Sequence, residues 1–279
     1  MILSVSNIAW EPRERLAAYD LMAEAGLAGL EIAPGLFFDE ADDPFAPDDA
    51  TALSAMAEIA ARGLSLVSMQ ALLYGVQGAS LLGRPDERTA FELGMRRAID
   101  LAGRFGIPNM VFGSPGQRRI PEGMDTASAQ AQAAETFRRL GDHAAAAGTK
   151  IAVEANPAVY GTNFLTTLEE AEAFVMQVDH PAVTLILDLG TMHMNGVFNT
   201  VAMRVGSLKP WLTHVHVSEP QLAPAPDDAT DLFPLFSALE DAEYTRAASI
   251  EMKRSEGGIS VLRDRIAALV SAAETVTQK

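Results

Sequence analysis

Short runs rich in Val, Ile and Leu alternate along this chain with longer stretches in which Ala, Leu, Glu and Arg recur at helical spacing. The apolar runs predict strands over Leu3 to Ser6, Gly29 to Ala33, Ser65 to Gln70, Met110 to Gly113, Ile151 to Glu154, Thr184 to Asp188, Thr213 to Val217 and Ala248 to Met252. The stretches between them predict helices, among them one starting near Arg13 and an Ala-rich one from Ala127 to Ala147. Gly26, Gly63, Gly106 and Gly148 each follow a helical stretch and precede a strand, where a glycine closes a helix by turning left-handed. Eight strands each followed by a helix is the number that closes a parallel (β/α)8 barrel. The expectation is one such barrel, a single α/β domain over residues 1–279. Longer segments with Pro and Gly follow the strand ends at 34–50, 72–84, 114–125 and 219–228, on the face where barrels of this kind carry their chemistry.

Composition narrows the partners. The chain has 37 Asp and Glu against 21 Lys and Arg, a formal charge of -16, which repels phosphate backbones and anionic lipid surfaces. Nucleic acid and membrane are therefore not expected as partners, and no apolar run approaches the roughly 20 residues that cross a bilayer. Cysteine is absent, which removes disulfides, thiolate metal sites and cysteine nucleophiles together. The opening residues Met1 to Ser6 read as a strand rather than a secretory signal, so a cytoplasmic location is expected.

Candidate chemistry lies at the ends of the last four strands. Ile151-Ala152-Val153-Glu154, Leu185-Ile186-Leu187-Asp188, Thr213-His214-Val215-His216 and Ser249-Ile250-Glu251 each carry an apolar run into a carboxylate or an imidazole. A carboxylate at the end of a buried strand is costly unless something positive meets it, so four such groups together call for a cation. Three carboxylates and one imidazole suit Mn²⁺, Co²⁺, Mg²⁺ or Fe²⁺ better than a thiolate-preferring ion. His214 and His216 share one face of their strand. His216, nearer the C-terminal end, is the expected ligand, and His214 is either a satisfied core histidine or a substrate contact. A cation held there would acidify a C–H beside a sugar carbonyl through an enediolate. Glu154 and Glu251, on opposite sides of the bound sugar, would then act as base and acid, inverting a carbon if both take part and interconverting aldose and ketose if one does both.

Val153-Glu154-Ala155-Asn156, Leu187-Asp188, His214-Val215-His216-Val217-Ser218-Glu219 and Ile250-Glu251-Met252-Lys253 resemble the xylose isomerase-like barrel superfamily, in its sugar phosphate isomerase/epimerase branch. The resemblance covers essentially the whole chain. It implies a carbohydrate substrate, one divalent cation on Glu154, Asp188, His216 and Glu251 (Mn²⁺ first, with Co²⁺, Mg²⁺, Fe²⁺ or Zn²⁺ as alternatives), and proton exchange by the two glutamates. A homodimer would fit, since barrels of this group often pair. Ser6-Asn7-Ile8-Ala9-Trp10, Glu31-Ile32-Ala33-Pro34 and Val111-Phe112-Gly113-Ser114-Pro115 with Arg118-Arg119 look like a less characterised subgroup.

Two departures from the ketose 3-epimerase pattern concern the substrate pocket. His193 stands five residues after Asp188 instead of three, and the stretch from His216 to Leu222 lacks the arginine expected there. Substrate contacts are therefore sought at His193, His214, Trp10, Gln70, Asn156, Arg118 and Lys253, with the arginine and lysine as a clamp for an anionic or extra sugar group. A lyase on 3-keto glycosides, or an inosose-type dehydratase, would use the same ligands and the same enediolate. A three-metal DNA-repair site is disfavoured, because the third and fourth strands end in Gln70 and Gly113-Ser114 rather than histidines.

Overall fold

The computed structural model describes residues 1–277. Eight parallel strands close a barrel in sequence order: β1 (Ile2–Ser6), β2 (Gly29–Ile32), β3 (Ser65–Met69), β4 (Met110–Phe112), β5 (Ile151–Val153), β6 (Val183–Asp188), β7 (Leu212–Ser218) and β8 (Ala247–Glu251). The helices are α1 (Arg15–Glu24), α2 (Pro34–Phe37), α3 (Asp49–Ala60), α4 (Pro85–Phe105), α5 (Thr126–Ala146), α6 (Leu168–Val178), α7 (Leu189–Met194), α8 (Val201–Leu208), α9 (Phe233–Asp241) and α10 (Gly258–Thr277). All eight expected strands are present, and the expected (β/α)8 class holds. The four glycines read as helix stops all have positive φ, with Gly106 at +64° closing α4. The strand ends shift by one residue in places. β5 stops at Val153, yet the Glu154 amide still donates to the Phe112 carbonyl at 3.0 Å, which keeps its backbone in the ladder.

Packing divides the chain into two compact units, residues 1–68 with 187–279, and residues 69–186. In the first, β1 pairs with β2 and with β8, and β7 pairs with β8, His216 lying opposite Ser249 and Ser218 opposite Glu251. Strand alternation puts Ser4 and Ser6 on one face of β1, and His214, His216 and Ser218 on one face of β7. Ser4, Ser6, Glu31, His214, His216 and Ser249 are all fully buried. Val5, Leu30, Ile32, Val215 and Ile250, on the opposite faces, are equally buried and apolar. Apolar residues on one face and polar ones on the other is the pattern of strands that pack on helices and point their chemistry inward.

The second unit rests on aromatic packing. Phe91, Phe112, Phe137, Phe174 and Phe164 meet in succession edge to face, with centroids 4.9–5.8 Å apart. These rings come from α4, β4, α5, α6 and the loop before α6, so one apolar row ties three helices to a strand. Beside it the pairing Val153 to Leu185 sets β5 against β6.

Candidate metal centre

Asp188 is the last residue of β6 and also the N-cap of α7. Its Oδ1 accepts the Thr191 amide at 2.6 Å, which satisfies one of the helix's orphan donors and fixes the carboxylate plane. Its Oδ2 accepts the Ser218 hydroxyl at 2.6 Å, and the Ser218 oxygen in turn accepts the Gly190 amide at 2.8 Å. A Cβ at Gly190 would meet the Glu219 carbonyl at 2.9 Å, so the close approach of α7 to the end of β7 depends on this glycine. Burial pushes the Asp188 carboxyl up, but the hydrogen bond and charge of His216, then Ser218 and Thr191, carry it below its ordinary range.

His216 occupies the middle of the arrangement. Its Nδ1 lies 3.2 Å from Glu251 Oε2 and 3.6 Å from Asp188 Oδ2. Its Nε2 faces the other way, 3.0 and 3.2 Å from the two oxygens of Glu31. Glu31 also stands 2.6 Å from His214 Nε2, and all three side chains are wholly buried. Burial alone would raise the Glu31 carboxyl; the two imidazoles hold it well below the usual carboxylate range.

Glu154 follows β5 directly and is 8% exposed. Its Oε2 accepts the Asn156 side-chain amide at 2.7 Å, and its carbonyl accepts Arg118 Nη1 at 2.7 Å. Gly113 leaves room for it, because a Cβ there would run into the Glu154 carboxylate. One donor atom from each of Glu154, Asp188, His216 and Glu251 lies within 4.8 Å of the other three. The donor set is hard oxygen plus one imidazole with no sulfur, which fits a divalent cation such as Mn²⁺, Mg²⁺, Co²⁺ or Fe²⁺.

Several expected substrate contacts take other roles. Arg118 is wholly buried, with Nη1 on the Glu154 carbonyl and Nη2 on the Leu165 carbonyl at 3.0 Å, so it is a brace for two loops and not an open clamp. Burial pushes its guanidinium down to about 10. His214 is sealed against Glu31 with no exposed surface, which corrects the reading of it as a substrate contact. Trp10 is 4% exposed and packs edge-on against Tyr19 with centroids 6.0 Å apart, so its indole serves the core rather than a sugar face. Asn156 orients Glu154. Gln70 stands half-buried just past β3, and Lys253 is exposed, its backbone amide on the Leu222 carbonyl. His193 lies in α7, partly exposed, stacked on Phe198 at 3.7 Å with its Nε2 4.0 Å from Glu219.

The residues the sequence reading missed are Glu31 and Ser218. Both sit inside quoted motifs, but their partners are far away in sequence, 185 residues from Glu31 to His216 and 30 from Ser218 to Asp188.

A closed parallel barrel with carboxylates and an imidazole gathered at its strand ends defines a class of (β/α)8 proteins able to hold a metal ion. The chain belongs to the xylose isomerase-like TIM barrel family, whose model matches residues 19–274. No functionally curated protein matches it in sequence. Among solved structures it is similar to D-psicose 3-epimerase from Clostridium cellulolyticum H10, at 19% identity and a TM-score of 0.74 over 100% of this chain and 97% of that one. It is also similar to the E. coli 3-keto-D-glucoside 4-epimerase YcjR, at 18% identity and 0.77 over 97% and 99%. An L-ribulose 3-epimerase matches at 16% identity and 0.78 over 100% and 96%. No helix among the described residues is long and apolar enough to cross a membrane.

Proposed function

We propose that this protein is a divalent-metal-dependent sugar isomerase or epimerase, with a ketose or related polyol ketone as substrate and Mn²⁺ as the first candidate for its ion. The observation that carries the reading is the gathering of the Glu154, Asp188 and Glu251 carboxylates with the His216 imidazole, one donor atom of each within 4.8 Å of the others. Glu154, Asp188, His216 and Glu251 are the proposed ligands. The similar structures named as a psicose, a ribulose and a keto-glucoside epimerase supply the substrate class. Lack of cysteine is in keeping with a cytoplasmic enzyme.

A bound divalent cation would supply Lewis-acid polarisation of the sugar carbonyl and its neighbouring hydroxyl. The chain's own residues do the rest. Asp188 is acceptor-only and locked by Ser218 and Thr191, so it holds position and moves no proton. Glu154 and Glu251 follow or end β5 and β8, and we assign them the proton traffic. One takes the proton from the carbon beside the carbonyl, giving an enediolate, and the other returns a proton to the opposite face, inverting that carbon. Asn156 donates to Oε2 of Glu154 and so fixes which oxygen faces the substrate. His193, partly exposed and stacked on Phe198, is the histidine we assign to a sugar hydroxyl.

The test is isotope exchange. With Mn²⁺ present and a screen of ketoses, inososes and 3-keto sugars, solvent deuterium is expected at the reacting carbon, and Glu154→Gln and Glu251→Gln should each remove the exchange. Exchange surviving in both variants rejects the two-glutamate scheme. Release of an aglycone from a 3-keto glycoside would instead make the enzyme a lyase.

A further inference from the structure

Glu31 lies on β2, far in sequence from every proposed ligand, and the metal-centre reading gives it no task. It is a fully buried carboxylate that meets two imidazoles at once: Oε2 to His214 Nε2 at 2.6 Å, Oε1 to His216 Nε2 at 3.0 Å. Glu31, His214 and His216 are compact enough to suggest a cation site of their own. Geometry argues against it. Two donors on one ion, each at about 2.0–2.2 Å, stand about 3 Å or more apart in tetrahedral or octahedral coordination. The 2.6 Å separation of Glu31 Oε2 and His214 Nε2 is too short for two ligands of one ion.

An ionised carboxylate only accepts, so His216, hydrogen-bonded to both Glu31 oxygens, must present an N–H at Nε2. A neutral imidazole has one such hydrogen. With it on Nε2, the lone pair of His216 is on Nδ1, which is the nitrogen directed at Glu251 and Asp188. We propose that Glu31 is a positioning residue for the metal centre: it holds His216 in the Nε2–H tautomer, so that Nδ1 is presented to a divalent cation. His214 Nε2, 2.6 Å from Oε2, packs against the same carboxylate. Ligating histidines whose other nitrogen donates to a carboxylate have a fixed ring orientation and higher basicity, and losing that partner costs about 10- to 100-fold in metal affinity.

The proposal rests on the metal-centre reading and is tested without turnover. Titration of the protein with Mn²⁺ in a calorimeter should give one ion per chain, and Glu31→Gln should bind it about 10- to 100-fold more weakly. An amide offers one acceptor oxygen and a competing N–H, so it cannot serve both imidazoles as the carboxylate does. Ring-nitrogen NMR of the unaltered protein loaded with diamagnetic Mg²⁺ should place the single His216 proton on Nε2. A proton on Nδ1 of a neutral His216, or Glu31→Gln binding Mn²⁺ as tightly as the unaltered chain, overturns the assignment of Glu31 alone. Two ions per chain, with the second lost in Glu31→Gln, would make Glu31 a ligand instead. Failure of the unaltered protein to bind Mn²⁺, Co²⁺ or Mg²⁺ overturns the metal-centre reading and this assignment with it. Should Glu31→Gln fail to fold, the ring-nitrogen spectrum of the unaltered protein decides by itself.

Discussion

A single buried arginine shows how differently a residue reads in sequence and in place. Arg118 follows β4 in a loop with Pro and Gly, where a solvated clamp for an anion is a natural reading. The fold instead buries the guanidinium and spends its fork on two backbone carbonyls, those of Glu154 and Leu165. Leu165 has a φ of +58° and its carbonyl also accepts the Asn156 amide at 3.1 Å, so Arg118 braces a strained turn and the Glu154 segment together. Truncation leaves both carbonyls short of a donor and opens a cavity. Arg118→Ala is expected to cost about 3 kcal/mol, read as a lower midpoint in urea. Arg118→Lys should recover only part of this, because a lysine ammonium cannot reproduce the planar fork. A variant with full stability and full exchange activity would show that the brace is dispensable. Ser218 and Gly190 act similarly at Asp188, where a hydroxyl and the space left by a missing side chain hold one ligand in register.

Among the elements, α5 is the most informative. Its Ala-rich sequence predicts a helix, and the observed span differs from the expected one by a residue at each end. Asp125 caps it, accepting the Ser128 amide at 2.9 Å, and the buried positions Ala129, Ala133, Phe137, Leu140 and Ala144 recur at three- and four-residue steps. Small side chains let the helix pack closely, and Phe137 then meets Phe112 and Phe174 at 4.9 and 5.3 Å. Because that ring links β4, α5 and α6, Phe137→Ala should cost about 3–5 kcal/mol, a loss visible in thermal or urea unfolding. Phe137→Leu should cost much less. Equal losses for the two would mean that ring geometry, rather than volume, sets the stability there.

At the scale of the molecule, two linkages carry tests. Arg254, just after β8, grips Glu14 with Nε and Nη2 at 2.7 and 2.9 Å, joining residues 240 apart. Its hydrogen bond, then that of the Glu11 backbone, lowers the Glu14 carboxyl from 4.5 to about 2. A carboxyl depressed in the folded state contributes stability that is present above its unfolded value and is lost as pH falls through the folded one. Stability attributable to this pair should therefore fade between about pH 5 and pH 2, and Glu14→Gln should flatten the acid limb in that window. An unchanged acid limb would show that solvent screens the pair. The second linkage is the proposed cation itself. At 100 times its Kd, a bound Mn²⁺ should raise stability by about 2.7 kcal/mol, and chelation should reverse this. The rise should vanish in Asp188→Asn. A rise that persists there would put the ion elsewhere.

The sequence by itself determined the barrel, because strand and helix periods are local and eight strands alternating with helical stretches leave one closed arrangement. It also marked the four residues proposed as ligands, since each ends an apolar run and a buried carboxylate or imidazole is informative wherever it falls. What surrounds those ligands was decided only by tertiary structure. Whether His214 meets substrate or Glu31, whether Arg118 faces solvent or two carbonyls, and which nitrogen of His216 is turned toward Asp188 and Glu251 depend on strand pairings and loop closures. Local spacing carries no record of partners that lie 28 to 183 residues away.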